Sequence, residues 1–237
     1  MLPLDGKIAM ITGGSRGVGL ATARRLAGLG ASLALVAREA ARLDAVCGAI
    51  QASAGRPLPL VADVRDEGEM HLAVERTERE LGGLDVLINN AAIGRYGPVG
   101  EFAVADWRAV IETNLSGVFI ATQAALSAIR RRGGGHVISI SSGAAKRGYP
   151  KMSAYCASKS GLHGFMEALA AELADEKIKC TTIVAGGILT DFGVRTREDR
   201  LRSGDRFLEP GDVAEAIAYV LLQPDRAWTQ ELNVWPR

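Results

Sequence analysis

The 237-residue chain predicts an α/β fold, a doubly wound parallel sheet of seven strands with helices on both faces. Three observations predict it. Short, nearly continuous apolar runs alternate with helical patterns, as strands buried on both faces require. A glycine-rich turn joins the first apolar run to the first helix. No Pro/Gly/Ser-rich linker, repeat or low-complexity segment divides the chain, so one domain over 1–237 is expected; with 48% hydrophobic residues it can bury a large core.

The elements follow in order. K7-I-A-M-I-T12 is a β-rich run, and the helical pattern after its glycine turn stops at Gly30. S32-L-A-L-V-A37 is the second strand, a helix covers roughly 39–53, and a third strand lies near 57–61. A helix over 66–82 leads to the strand L84-D-V-L-I88. A long helix near 103–132 ends at the basic R130-R-R132 before the strand H136-V-I-S-I140. Helix 153–175, strand K179-C-T-T-I-V184, helix 211–222 and strand E231-L-N-V234 complete the alternation.

Composition excludes several classes of function. Formal net charge is +1 with acids and bases interleaved, so nothing gathers nucleic acid or anionic lipid. The N-terminus lacks a signal-peptide layout, no apolar run approaches a membrane span, and a cytoplasmic protein is expected. Cys47, Cys156 and Cys180 are widely spaced, which argues against a disulfide framework, and with scattered His71, His136 and His163 they suggest no metal site.

Ligands of such sheets bind at the carboxyl ends of the strands where the winding reverses. The first strand-to-helix turn there is T12-G-G-S-R-G-V-G19. Its glycines permit a tight turn and close backbone approach to a diphosphate, and the helix behind it offers unpaired N–H groups and a positive dipole end. A dinucleotide ribose is usually tested by an acid at the end of the second strand. Here V36-A-R38 places Arg38 instead, which favours a 2′-phosphate and hence NADP(H) over NAD(H), with Arg16 able to close on the same group. Tyr155 and Lys159, four residues apart, share one helix face.

With T-G-x-x-x-G-x-G at 12–19, N89-N-A-A92, Asn114, Ser142 and Y-x-x-x-K at 155–159, the chain resembles the short-chain dehydrogenase/reductase family over about residues 5–234, nearest in flavour to the 3-oxoacyl carrier-protein reductases. The resemblance implies a Rossmann-type domain and an NADP(H)-dependent oxidoreductase acting on a small carbonyl or alcohol substrate. It implies that Tyr155 is the general acid/base, that Lys159 together with an oxidised nicotinamide lowers the phenol pKa, and that Lys159 reaches the nicotinamide ribose. Ser142 would hydrogen-bond the carbonyl oxygen, and Asn114 would hold a water beside Lys159. Cofactor contacts would come from Gly13, Ser15, Arg16, Gly17, Val18, Gly19 and Arg38; from Asp63 and Val64 against adenine; from Asn90; and from Ile188 and Thr190 near the carboxamide. Asp63 also reads as a helix N-cap.

Three departures from the family pattern stand out. Ala92 replaces a glycine, A185-G-G187 replaces A-P-G and is expected to loosen a turn beside the nicotinamide, and the chain ends V234-W-P-R237 rather than V-D-G-G. The segment 189–209 corresponds to the family's substrate lid. Across 189–210 five arginines face five acids, so it reads as a solvated helix rather than an anion site. Arg130, Arg131 and Arg132 could supply a basic patch for an acyl carrier protein, but Glu172, Asp175 and Glu176 at the end of the Tyr155 helix oppose it, so delivery by a carrier protein is not favoured. Epimerisation or dehydration on the same scaffold, or silent cofactor sensing, are the alternatives. The resemblance also implies a homodimer or homotetramer through the helices near 103–132 and 153–175, with Trp235 packed either in a second interface or on its own subunit.

Overall fold

The computed structural model describes residues 1–50 and 57–237. Seven strands, β1 (Ile8–Thr12), β2 (Ser32–Ala37), β3 (Leu58–Val61), β4 (Val86–Asn89), β5 (Gly135–Ser142), β6 (Ile178–Ala185) and β7 (Glu231–Val234), form one sheet in the order β3-β2-β1-β4-β5-β6-β7. Every adjacent pair is parallel, with Ile8 opposite Ser32 and Ala185 opposite Val234. The helices are α1 (Gly17–Gly28), α2 (Ala40–Ala49), α3 (Glu67–Leu81), α4 (Val104–Ile111), α5 (Gly117–Arg131), α6 (Ser153–Glu172), α7 (Arg197–Arg202) and α8 (Pro210–Leu221). The last residues of the helix expected over 39–53 lie outside the described part.

Side chains alternate across each strand, and the core is therefore two layers. Ala9 and Ile11 of β1 pack with Leu26 of α1, Leu43 of α2 and Ile217 of α8. Ile8 and Met10 pack on the opposite face with Met70 of α3, Ile129 of α5 and Leu162 of α6. A sheet so covered explains why its strands read as continuous apolar runs.

Two expectations need amending. Val104–Arg131 forms one helical stretch of 28 residues that is long and apolar enough, by length and composition, to cross a membrane. Half of its most apolar window is buried in this fold, where Ala121, Ala125, Ala128 and Ile129 lie against the sheet, which accounts for its composition. The cap of α3 is Asp66, whose carboxylate accepts from Glu69 N at 2.9 Å, rather than Asp63.

The winding reverses between β1 and β4. Thr12 and Asn90 meet at that switch: Asn90 N donates to Thr12 Oγ1 at 3.0 Å, and Asn90 Nδ2 donates to Thr12 O at 2.9 Å. This is the crevice in which such sheets bind ligands.

Candidate active site

A cavity of about 750 Å³ opens over the carboxyl ends of the strands. Its first wall is the glycine turn. Gly13 has φ +66° and Gly17 φ +53°, left-handed values that favour glycine. A Cβ on Gly19 would collide with the Gly13 carbonyl oxygen and stand 2.6 Å from Asn90 Nδ2, so the turn and α1 touch backbone to backbone. Helix α1 has neither a side-chain cap nor an acid in its first turn. Its open N–H groups and dipole end suit an anion. The residues present thus fit a dinucleotide diphosphate.

The second wall carries the chemistry. Tyr155 and Lys159 project from α6 and are both buried, and Ser142 ends β5 beside them. Ser142 lies close enough to the Tyr155 phenol to favour its ionised form, while its Oγ accepts from Ala144 N at 3.2 Å. Tyr96 meets the Tyr155 ring edge-on at 6.1 Å, and Phe192 lies at 5.7 Å from it, leaving the tyrosine only 8% exposed. Lys159 Nζ donates to Ile140 O at 2.8 Å and stands 5.9 Å from the Tyr155 ring centre.

Asn114 sits in a single π-helical turn, Glu112–Ser116, between α4 and α5. Such turns recur at functional sites because they redirect one side chain. Its amide clasps the chain after β4, donating to Ile93 O at 2.9 Å and accepting from Ile93 N at 2.8 Å. It also lies 3.3 Å from Ser158 Oγ, which donates to Tyr155 O at 2.8 Å. Asn114 therefore ties the Tyr155 helix to the β4 loop.

A family model described as short chain dehydrogenase matches residues 7–201. The chain belongs to the short-chain dehydrogenase family. It is 32% identical to the 3-oxoacyl-[acyl-carrier-protein] reductase of Synechocystis over 99% of this chain and 97% of that one. It is 31% identical to the glycine betaine reductase of Emericella nidulans over 99% of its own length, but spans only 19% of that protein. Among solved structures, a short chain dehydrogenase from Burkholderia cenocepacia in complex with NADP is 34% identical, with a TM-score of 0.88 over 99% of this chain and 97% of that one. The short-chain dehydrogenases are oxidoreductases that use nicotinamide cofactors.

Of the catalytic and cofactor-binding residues expected from the sequence, all but Gly19 and Asn114 line the cavity. Gly13, Ser15, Arg16, Gly17 and Val18 form the turn side; Arg38, Asp63, Val64 and Asn90 line the β2–β4 ends; Ile188 and Thr190 follow β6. Asp63 is engaged by Arg65 at 2.6 Å, with Arg38 at 3.9 Å, and these cations hold its carboxyl below the usual range.

Other expectations change. The protein alone does not draw the Tyr155 phenol down: burial is the largest influence and pushes its pKa up, outweighing the opposing influence of Ser142. Burial instead lowers Lys159 to about 8. The turn at Gly186 is not left loose, because Gly186 N donates to Val234 O at 2.8 Å and the tail packs over it. Arg130, Arg131 and Arg132 offer no basic patch at this mouth. They lie before β5, at the opposite end of the sheet, paired with Glu176 and Glu78 at 2.7 Å and with Asp85 at 3.2 Å.

Four cavity residues carried no sequence signal of their role. Tyr96 lies in an irregular loop, Phe192 and Arg200 lie in the charge-balanced lid segment, and Trp235 lies beyond the last strand. Arg200 Nε donates to Thr190 O at 2.9 Å and Nη2 to Phe192 O at 2.6 Å, so it fastens the segment that covers Tyr155.

Proposed function

We propose that the protein is an NADP(H)-dependent reductase of a small carbonyl compound, or dehydrogenase of the matching alcohol, with Tyr155 as general acid/base. The observation that carries this reading is the buried Tyr155 phenol, beside Ser142 and one helical turn from Lys159. When bound, the nicotinamide supplies or accepts the hydride. Tyr155 gives its proton to the substrate oxygen in reduction and takes one back in oxidation, while Ser142 donates to the same oxygen. Burial keeps the phenol protonated, which supports the donor role. The lowering of Lys159 to about 8 by burial supports a part for it in relaying that proton.

Preference for NADP(H) rests on Arg38, which follows β2 and lines the cavity, and on Arg16 across from it. The NADP-bound relative from Burkholderia cenocepacia supports the same choice. The ion-paired arginines at the far end of the sheet favour a small free substrate over one delivered by a carrier protein. The reading includes a homodimer, or a homotetramer, paired through α5 and α6, supported by Phe119, which is 48% exposed on α5 and edge-packed on Phe165.

The test is NADPH and NADH consumption with ketones, aldehydes and oxoacyl thioesters. Turnover of a ketone or aldehyde with NADPH preferred is expected. Tyr155→Phe should lose at least about a hundredfold in kcat, the lower range for general acid catalysis, yet bind NADPH nearly as before. Wild-type turnover in that variant sinks the assignment.

A further inference from the structure

The two unusual features at residues 185–187 and 235–237 meet in space. Strand β7 is locked to β6 with Val234 opposite Ala185, and Gly186 N holds Val234 O at 2.8 Å. The chain then turns over two glycines. A Cβ on Gly186 would lie 2.6 Å from Pro236 Cδ and 3.0 Å from Trp235 Cε3, and one on Gly143 would collide with the far edge of the Trp235 ring. Only the missing side chains at 143 and 186 make room for the indole. Gly143 directly follows Ser142 and Gly186 directly follows Ala185, so the ring lies over the ends of β5 and β6, next to the serine that ends β5.

Trp235 lines the cavity and keeps 48% of its surface exposed, with its inner side on the glycines. At the other end of the same strand Glu231 is held by Lys146 and lies 3.7 Å from His163 Nδ1. Both ends of β7 are therefore tied to the body of the subunit, and the tail is not a loose arm. Tyr96, Tyr149 and Phe192 also line the cavity, with Tyr96 and Phe192 against Tyr155.

We infer that Trp235 is a specificity-determining residue, an indole wall at the substrate end of the cavity that limits the size of the group carried by the carbonyl carbon and selects compact apolar ketones. The inference deepens the proposed reaction and rests on it. A flat, rigid ring braced from behind by backbone cannot retreat by changing rotamer, so a larger substrate meets it as a hard limit.

Two measurements decide it, one without turnover. Calorimetric binding of the two probe ketones to the protein saturated with NADP+, which needs no turnover, should show 2-tetralone gaining at least tenfold in affinity relative to cyclohexanone in Trp235→Ala compared with wild type. An unchanged affinity ratio overturns the inference. With cyclohexanone and 2-tetralone as probes, Trp235→Ala should raise kcat/KM for 2-tetralone relative to cyclohexanone at least tenfold. An unchanged ratio overturns the inference, and if light scattering then shows a smaller assembly the tail is an interface element instead. Should wild type reduce neither ketone, the affinity ratio alone decides whether Trp235 limits substrate size, and the reaction reading stands or falls on its own wider panel.

Discussion

A lysine buried beside a tyrosine costs the fold stability that its charge would keep in water. Lys159 falls from its ordinary value of 10.5 to about 8 because burial disfavours the ammonium, so folding is penalised by on the order of 3 kcal/mol below pH 8. A lowered folded pKa means that the lost stability is fully regained only above pH 10.5 and disappears as pH falls toward 8. Lys159→Met should therefore be more stable than wild type at pH 7 by up to about 3 kcal/mol, reduced by the orphaned Ile140 carbonyl. Urea denaturation should show the advantage shrinking between pH 8 and 10.5, whereas a constant difference would mean that the ammonium is not desolvated. Arg38→Asp acts at the same scale. A carboxylate there repels a 2′-phosphate and accepts from a free ribose hydroxyl, so the NADPH/NADH ratio of kcat/KM should move toward NADH by about 1–3 kcal/mol, the range for a charged hydrogen bond. An unmoved ratio would remove Arg38 from the phosphate.

The segment between β6 and α8 lines the cavity beside Tyr155 and is the element proposed to control access. Helix α7 is only six residues long and depends on a capping box in which Thr196 and Asp199 satisfy each other's backbone. It buries none of its residues, so its hold on the body comes from particular polar contacts. Arg197 pairs with Glu209 at 3.2 Å, and Arg200 reaches back to the carbonyls of Thr190 and Phe192. Replacing Arg200 with Met keeps much of the bulk and removes those donors. Phe192 should then leave the Tyr155 ring more often, raising KM for the carbonyl substrate by about tenfold, the lower end of what charged hydrogen bonds contribute, with little change in melting temperature. An unaltered KM would show that the segment is held by something other than Arg200.

At the scale of the whole molecule, the two core layers leave one apolar helix face without cover. Phe119 projects from α5 beside Phe165, while Trp107 of α4 is also exposed. Two such faces, brought together by a two-fold axis, would bury them both, and a charge at the centre would be desolvated without a partner. Phe119→Glu should thus convert the proposed dimer to monomers, read as a halving of mass by light scattering at micromolar concentration. Unchanged mass with intact folding would move the interface to another face.

How far each feature was legible follows from how local its cause is. Strand and helix order, the glycine turn and the Tyr155–Lys159 pairing rest on interactions within about ten residues, so their periods and spacings appear directly in the chain. The same holds for Arg38, whose position is simply the end of an apolar run. Nothing local distinguishes Asp66 from Asp63 as the cap of α3, and the charge balance of 189–210 conceals that Arg200 bonds the backbone while its neighbours pair on the surface. The sign of the Tyr155 shift was beyond reach too, since desolvation sums over Tyr96, Phe192 and β5, which come from separate segments. The chain by itself determined a doubly wound sheet, a phosphate-cradling turn and a tyrosine and lysine on one helix face. Only the tertiary structure decided what closes over them, because the register of β7 on β6 and the bare backbones of Gly143 and Gly186 set Trp235 beside a serine more than ninety residues away in sequence.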